Sequence, residues 1–197
     1  MARYGMLIDT TKCAECYSCR VACQHQNHLP KDESFITLNP IEKGEFPNVS
    51  FQVLPVQCQH CENPPCKEVC PTGATYQTEH GFVLVDEDRC IGCKYCMVAC
   101  PYDARVQHHE TGVVLKCKFC YEGVIAVAGA SGEAEATSGA SSNIEDIPAC
   151  VNTCISSARI FGDLDDPNST ISKEIIARKA ALLRPDLGTK PKIYYVR

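Results

Sequence analysis

Sixteen cysteines fall along the chain in four groups of four: Cys13, Cys16, Cys19 and Cys23; Cys58, Cys61, Cys66 and Cys70; Cys90, Cys93, Cys96 and Cys100; Cys117, Cys120, Cys150 and Cys154. Each group opens C-x-x-C and closes C-x-x-x-C, while the middle gap is two residues, four, two and twenty-nine. A repeat of this kind fixes the ends, which hold metal geometry, and lets the centre take insertions. Sixteen thiols leave three uses: a disulfide framework, structural zinc or iron–sulfur clusters. No Trp, 7% aromatics, 12 Gly and 12 Pro make a side-chain core of normal size hard to assemble. Inorganic cofactors are therefore expected to complete the core, and the apo-chain to fold poorly.

Spacing separates the three uses. C-x-x-C pairs are too frequent here for a disulfide framework. Zinc ribbons pair two separated C-x-x-C units, whereas here three close cysteines precede a fourth a few residues on. The bacterial 4Fe–4S run C-x2-C-x2-C-x3-C-P matches Cys90, Cys93, Cys96, Cys100 and Pro101 residue for residue, and Cys70-Pro71 ends the second group the same way. Cys13 to Cys23 keep the spacing, with Gln24 in place of the proline. In that run the last cysteine ligates the other cluster of a pair, so groups are read two at a time.

The remaining chemistry is sparse. His60, between Cys58 and Cys61, reads as a cluster neighbour or surface residue rather than a ligand, and His25, His28, His80, His108 and His109 fall in expected loops or turns. No Ser/His/Asp set, paired-carboxylate motif, P-loop or G-x-G-x-x-G occurs, so no catalytic constellation is expected. A formal charge of -5 without a basic stripe argues against nucleic acid. No apolar window is long enough to span a membrane.

Short strands and turns connect the groups. Tyr4 to Asp9 and Gln52 to Val56 read as strands leading into groups one and two. Ala74 to Thr78 with Phe82 to Asp86, and Ala104 to His108 with Val113 to Lys116, read as hairpins. Residues such as Met97, Val98 and Ala99 suit one or two helical turns after each loop, giving a unit of strand, cluster loop, short helix and strand. Val124 to Ser141 is small-residue, low-complexity sequence, expected to be a mobile or partner-facing insertion. Ser169 to Leu183 places Ile171, Ile175, Ile176 and Leu182 at helical spacing, with Ser169 or Thr170 as N-cap and Pro185 as stop, before an extended tail.

Four further stretches carry a resemblance: Cys58 to Ala74 (C-x-H-C-E-N-P-P-C-x-x-V-C-P-T-G-A), Cys90 to Tyr102, Pro148 to Cys154 and Gly162 to Ser169. With the tail Gly188 to Tyr195, they resemble the four-cluster iron–sulfur subunits of molybdenum or tungsten oxidoreductases, such as dimethyl sulfoxide, polysulfide, thiosulfate and arsenate reductases. Ile155 stands where a proline usually follows the last cysteine. Cys93 is retained where relatives with a three-iron centre replace a ligand.

The resemblance implies an α+β fold of two bacterial-ferredoxin-like lobes related by a pseudo-twofold. Residues 1–49 with 110–168 would form one lobe and 50–109 the other, followed by a C-terminal helix and tail over 169–197. It implies four 4Fe–4S clusters: Cys13, Cys16, Cys19 and Cys154; Cys117, Cys120, Cys150 and Cys23; Cys58, Cys61, Cys66 and Cys100; and Cys90, Cys93, Cys96 and Cys70. The implied role is non-catalytic: conducting electrons between a molybdopterin catalytic subunit and a membrane quinone-reactive subunit or another carrier. A stand-alone polyferredoxin is the alternative. Met1 to Thr11 is too short for a signal peptide, and the chain is expected outside the cytoplasm, exported already folded with a signal-bearing partner; the alternative is cytoplasmic.

Overall fold

A computed structural model of the chain describes residues 2–124, 136–137 and 147–197. In its first half the elements are β1 (Tyr4–Asp9), α1 (Ser18–Gln26), β2 (Thr37–Glu45), β3 (Asn48–Val56), α2 (Pro65–Glu68), β4 (Thr75–Gln77), β5 (Val83–Val85) and α3 (Tyr95–Val98). After these come β6 (Val106–Gln107), β7 (Val114–Leu115), β8 (Ala136–Thr137), α4 (Ala149–Asn152), β9 (Arg159–Asp163), α5 (Thr170–Ala177), β10 (Ala181–Leu182) and β11 (Ile193–Val196). Over the described residues the result is a mixture of α and β: short helices, one larger sheet and three two-stranded ones, consistent with a ferredoxin-like fold.

All six residues of β1 are buried, because the strand lies in the middle of the larger sheet, whose order is β10-β11-β1-β9-β8. β11 runs parallel to it, Met6 opposite Ile193, and β9 antiparallel, Gly5 opposite Gly162. The glycine pair permits a close approach. A Cβ on Gly5 would lie 2.5 Å from Leu164 Cδ1 and 2.6 Å from the Lys192 carbonyl, and one on Gly162 would lie 3.1 Å from Ile171 of α5. Gly5→Ala is therefore expected to cost about 2–3 kcal/mol, lowering Tm by about 5–10 °C for a chain of this size. Thermal melts followed by circular dichroism check this; an unchanged Tm would mean the sheet relaxes around the methyl.

The core is richer in side chains than the composition suggests, because the few aromatics are concentrated at one junction. Tyr4 stacks on Phe82 and on Phe161, both with centroids 5.7 Å apart, and Phe119 meets Phe82 and Phe161 edge-on. These contacts join β1 and β9 to the segments around groups two and four.

Both expected hairpins form, as β4–β5 and β6–β7. The strand expected at Gln52 to Val56 is the inner end of a longer hairpin, β2–β3, whose outer half is exposed. The expected helix from Ser169 stops near Ala177: Ser169 Oγ accepts from the Ser172 N–H as the cap, but Lys179 takes a left-handed φ of 51°. Leu182 therefore belongs to strand β10, and Ile176 is exposed. His25 lies on α1 rather than in a loop. The extended tail becomes a tie across the molecule. Its carbonyls at Thr189 and Lys190 accept from Asn63 and Glu62 beside group two, and β11 then enters the sheet. Apart from Val124 and the pair Ala136–Thr137, the low-complexity stretch 124–141 lies outside the described residues.

A second tie is sensitive to pH. Glu33 Oε1, on the segment after α1, accepts from the His109 N–H at 2.8 Å and faces His109 Nδ1 at 2.7 Å. Burial pushes Glu33 up, but the bonds from His109 outweigh it, so its carboxyl titrates below the ordinary 4.5. The same bond from Glu33, helped by Glu110 and Asp32, holds the His109 imidazole above the ordinary 6.5. A raised base contributes stability that is lost as pH climbs through its folded pKa, and a lowered acid contributes stability lost as pH falls through its own. The contribution is thus fullest between about pH 4.5 and 6.5. The Tm deficit of His109→Gln should be widest near pH 5.5 and shrink by pH 8.5; a deficit that grows with pH would reverse the assignment.

Candidate metal centres

The four cysteine loops share one local geometry. In every group the residue two after the first cysteine is left-handed: Glu15 (φ 52°), His60 (44°), Gly92 (66°) and Phe119 (55°). Such conformations persist only where surroundings over-determine them, and a chain turning its backbone N–H groups inward around an anion does so. Gly92 also needs its small size, because a Cβ there would sit 2.6 Å from the Gly112 carbonyl.

Each loop then runs into a helix carrying the third cysteine: Cys19 on α1, Cys66 on α2, Cys96 on α3 and Cys150 on α4. The fourth follows four residues later, about 6 Å further along a helical path, which carries it away from its own loop. Three groups end in the same turn, with left-handed Gly73, Asp103 and Ser157 three residues past Cys70, Cys100 and Cys154. There the Thr75 N–H points at Cys70 Sγ at 3.4 Å and the Ala158 N–H at Cys154 Sγ at 3.3 Å. Ile155 in place of proline leaves this turn intact and is itself exposed.

Cysteines distant in sequence come together. One cavity is lined by Cys13, Cys16, Cys19 and Cys154, a second by Cys58, Cys61, Cys66 and Cys100, and a third by Cys70, Cys90, Cys93 and Cys96. The remaining four are mutual neighbours as well: burial, with Cys150 and Cys120 beside it, pushes the Cys23 thiol far up. Burial, with Cys23 and Cys150 beside it, does the same for Cys117. Burial lifts Cys61 to about 12 and, against the pull of Arg159, Cys150 to about 11. All sixteen are unpaired, and Cys16 and Cys93 are exposed.

The sets also follow one another. Cys19 acts on Cys23, Cys58 on Cys117, and Cys66 on Cys96, each pair crossing from one set to the next. The order is therefore Cys13/16/19/154, then Cys23/117/120/150, then Cys58/61/66/100, then Cys70/90/93/96. The end sets hold the exposed thiols. His60 sits at the middle of this line: it is buried, stacks on Phe119 with centroids 4.0 Å apart, and its Nδ1 accepts from the Val83 N–H at 3.2 Å. Burial, with Lys116 and Lys192 nearby, holds it well below the ordinary imidazole value, so it is a neutral spacer and not a surface group.

Several observations fit clusters better than single metal ions. Lys116, Lys192, Arg105 and Arg159 are all buried, with no carboxylate bridging any of them among the described residues. Lys116 and Lys192 donate to the carbonyls of Cys117 and Gly81, and Arg105 Nη2 has no hydrogen-bond partner. Buried cations left this way need an anion nearby. A cluster held by four thiolates would supply such a net negative group, and Cys66 and Cys96 stand beside Arg105. The cations were not visible as site residues in the sequence. Arg105 and Arg159 each stand five residues past a fourth cysteine, a repeat that could have marked them.

Sixteen thiols gathered in four neighbouring sets on a ferredoxin-like fold define an iron–sulfur electron-transfer protein. A domain family described as a 4Fe-4S dicluster domain matches residues 49–131. The chain is 40% identical over 198 residues to the tetrathionate reductase B subunit of Salmonella typhimurium, covering 98% of this chain and 72% of that one. It is 36% identical to the putative dimethyl sulfoxide reductase iron-sulfur B subunit of Halobacterium salinarum, covering all of this chain and 79% of that one. Identity is also 36% to the sulfite dehydrogenase B subunit of Allochromatium vinosum, covering all of this chain and 83% of that one. The chain belongs to this family of iron–sulfur subunits of oxidoreductase complexes, and its role is electron transfer, not catalysis. Among the described residues no helix is long and apolar enough to cross a membrane.

Proposed function

We propose that the four cysteine sets hold four 4Fe–4S clusters in line, making the subunit a four-step conductor between a molybdopterin catalytic subunit, with molybdenum or tungsten, and a second redox partner. The carrying observation is the pairing itself. In each of three cavities, three cysteines of one group are joined by the fourth of another, and groups one with four and two with three are the combinations. That arrangement, with the loop geometry repeated in all four groups, supports two lobes related by a pseudo-twofold, made of 1–49 with 110–168 and of 50–109. When bound, the clusters supply one-electron chemistry. The chain holds them, spaces them and keeps water from the inner two.

The two ends are suited to partners. Tyr17, Val21 and Ile155 are exposed at the set containing Cys13, and Ile91, Tyr95 and Val98 at the set containing Cys93. Apolar side chains around an exposed redox site fit docking to another protein. The relatives named above are subunits of enzymes with different substrates, which accords with a conductor that never touches the substrate.

Purified holo-protein should contain close to sixteen iron and sixteen sulfide per chain, from roughly four of each per cube. Zinc without sulfide would overturn the cluster reading. Co-purification with a molybdenum- or tungsten-containing chain is expected; a complete, fully loaded carrier that never associates with one would be a stand-alone polyferredoxin.

A further inference from the structure

Arg159 and Arg105 are buried guanidinium groups set at the same step of the repeat, five residues past Cys154 and Cys100. Arg159 Nη1 donates to Gln57 Oε1 at 2.7 Å and lies 3.4 Å from Met6 Sδ and 3.9 Å from Cys150 Sγ. Its Nη2 lies 3.8 Å from Cys19 Sγ. One guanidinium thus reaches a thiol in each of the two sets of its lobe.

Arg105 stands in the corresponding place in the other lobe. It lines both the cavity of Cys58, Cys61, Cys66 and Cys100 and the cavity of Cys70, Cys90, Cys93 and Cys96. Its Nη1 donates to Thr75 Oγ1 at 3.2 Å, and its Nη2 is free of hydrogen bonds. No carboxylate bridges either arginine among the described residues. A purely structural tie does not require this: a neutral amide could cross-link the same loops without burying a charge.

A site that receives an electron gains one negative charge. Arginine stays protonated throughout, so it neither supplies nor takes a proton and its charge is fixed. In a dry interior such a charge favours the reduced form of whatever lies beside it, and the attraction falls with distance. We infer that Arg159 and Arg105 are shared counter-charges, one per lobe, each raising the reduction potential of the two cluster sites between which it lies. The inference rests on the cluster reading proposed above.

The test is an EPR-monitored redox titration of the purified holo-protein, with Arg159→Gln, Arg105→Gln and the two Arg→Lys variants, after iron and sulfide have been counted. Arg159→Gln should move two of the four midpoint potentials to more negative values, and Arg105→Gln the other two, with no overlap between the pairs. The Lys variants keep the charge and should leave all four near their native values. A shift confined to one signal, spread over all four, absent or positive would overturn the inference. If a Gln variant fails to load, its Lys counterpart decides: full loading at native potentials supports the counter-charge, and failure to load or shifted potentials would make the arginine a structural group. A wild-type protein without iron and sulfide removes the cluster reading itself. Normal iron with unmoved potentials removes only this inference.

Discussion

Removing iron is expected to unfold most of the chain rather than leave an empty scaffold. Burial already pushes Cys117, Cys150 and Cys61 upward as thiols, so without metal they are neutral and supply no charge to offset the buried Arg105, Arg159, Lys116 and Lys192. Each such cation, left without an anion, costs several kcal/mol. The loops add left-handed Glu15, His60 and Phe119, conformations costing about 1–3 kcal/mol each without surroundings to hold them. Metal sites coupled to folding contribute on the order of 10 kcal/mol, and a domain's whole net stability is about 5–15 kcal/mol. The balance therefore falls against the apo-state. Chelation under reducing conditions should abolish the cooperative thermal transition and the near-ultraviolet circular dichroism, and make the loops between Cys13 and Cys154 sensitive to protease. Iron with sulfide should restore them, and zinc should not. An apo-chain that still melts cooperatively within a few degrees of the holo-protein would mean that the aromatic junction and the larger sheet suffice.

What the sequence disclosed follows from which constraints are local. Ligand spacing is local, so the four cysteine groups were legible at once, as were the β4–β5 and β6–β7 hairpins. Strand β1 was legible from the alternation of Tyr4 to Asp9, but its neighbours were not. β11 pairs with it across nearly the whole chain length, and nothing in Ile193 to Val196 names Tyr4 to Asp9 as its partner. Hairpin β2–β3 was half missed because its outer end has no buried face to impose an alternating pattern. The helix starting after Ser169 was read too long, since Leu182 continues the helical spacing of Ile171 and Ile175 while the backbone reverses at Lys179. Arg105 and Arg159 were passed over because a lone arginine in sequence reads as surface. Only their equal distance from Cys100 and Cys154 sets them apart.

Cys23→Ser should damage a site whose other cysteines lie far along the chain and spare the one formed by its own group. Cys19 and Cys23 sit one turn apart on α1, yet Cys19 lines the cavity of Cys13, Cys16 and Cys154, which Cys23 does not, whereas Cys150 and Cys120 are the thiols that press most on Cys23. The expected partners of Cys23 are thus Cys117, Cys120 and Cys150. Serine offers a hard oxygen where iron–sulfur sites favour thiolate, so a three-iron centre or a displaced potential is expected at that one site. The other three sites should titrate as in the wild type. Because α1 packs against α4, which carries Cys150, weakening this ligand also loosens a long-range tie, and Tm should fall further than for an exposed substitution such as Val21→Ala. The measurement is an EPR-monitored redox titration in which Cys16→Ser marks the site of group one and Cys120→Ser the site of group four. Cys23→Ser should alter the signal that Cys120→Ser alters. If it instead altered the signal of Cys16→Ser and left that of Cys120→Ser unchanged, each group would hold its own cluster. The exchange of fourth cysteines between groups would then be wrong, despite the cavities that bring them together.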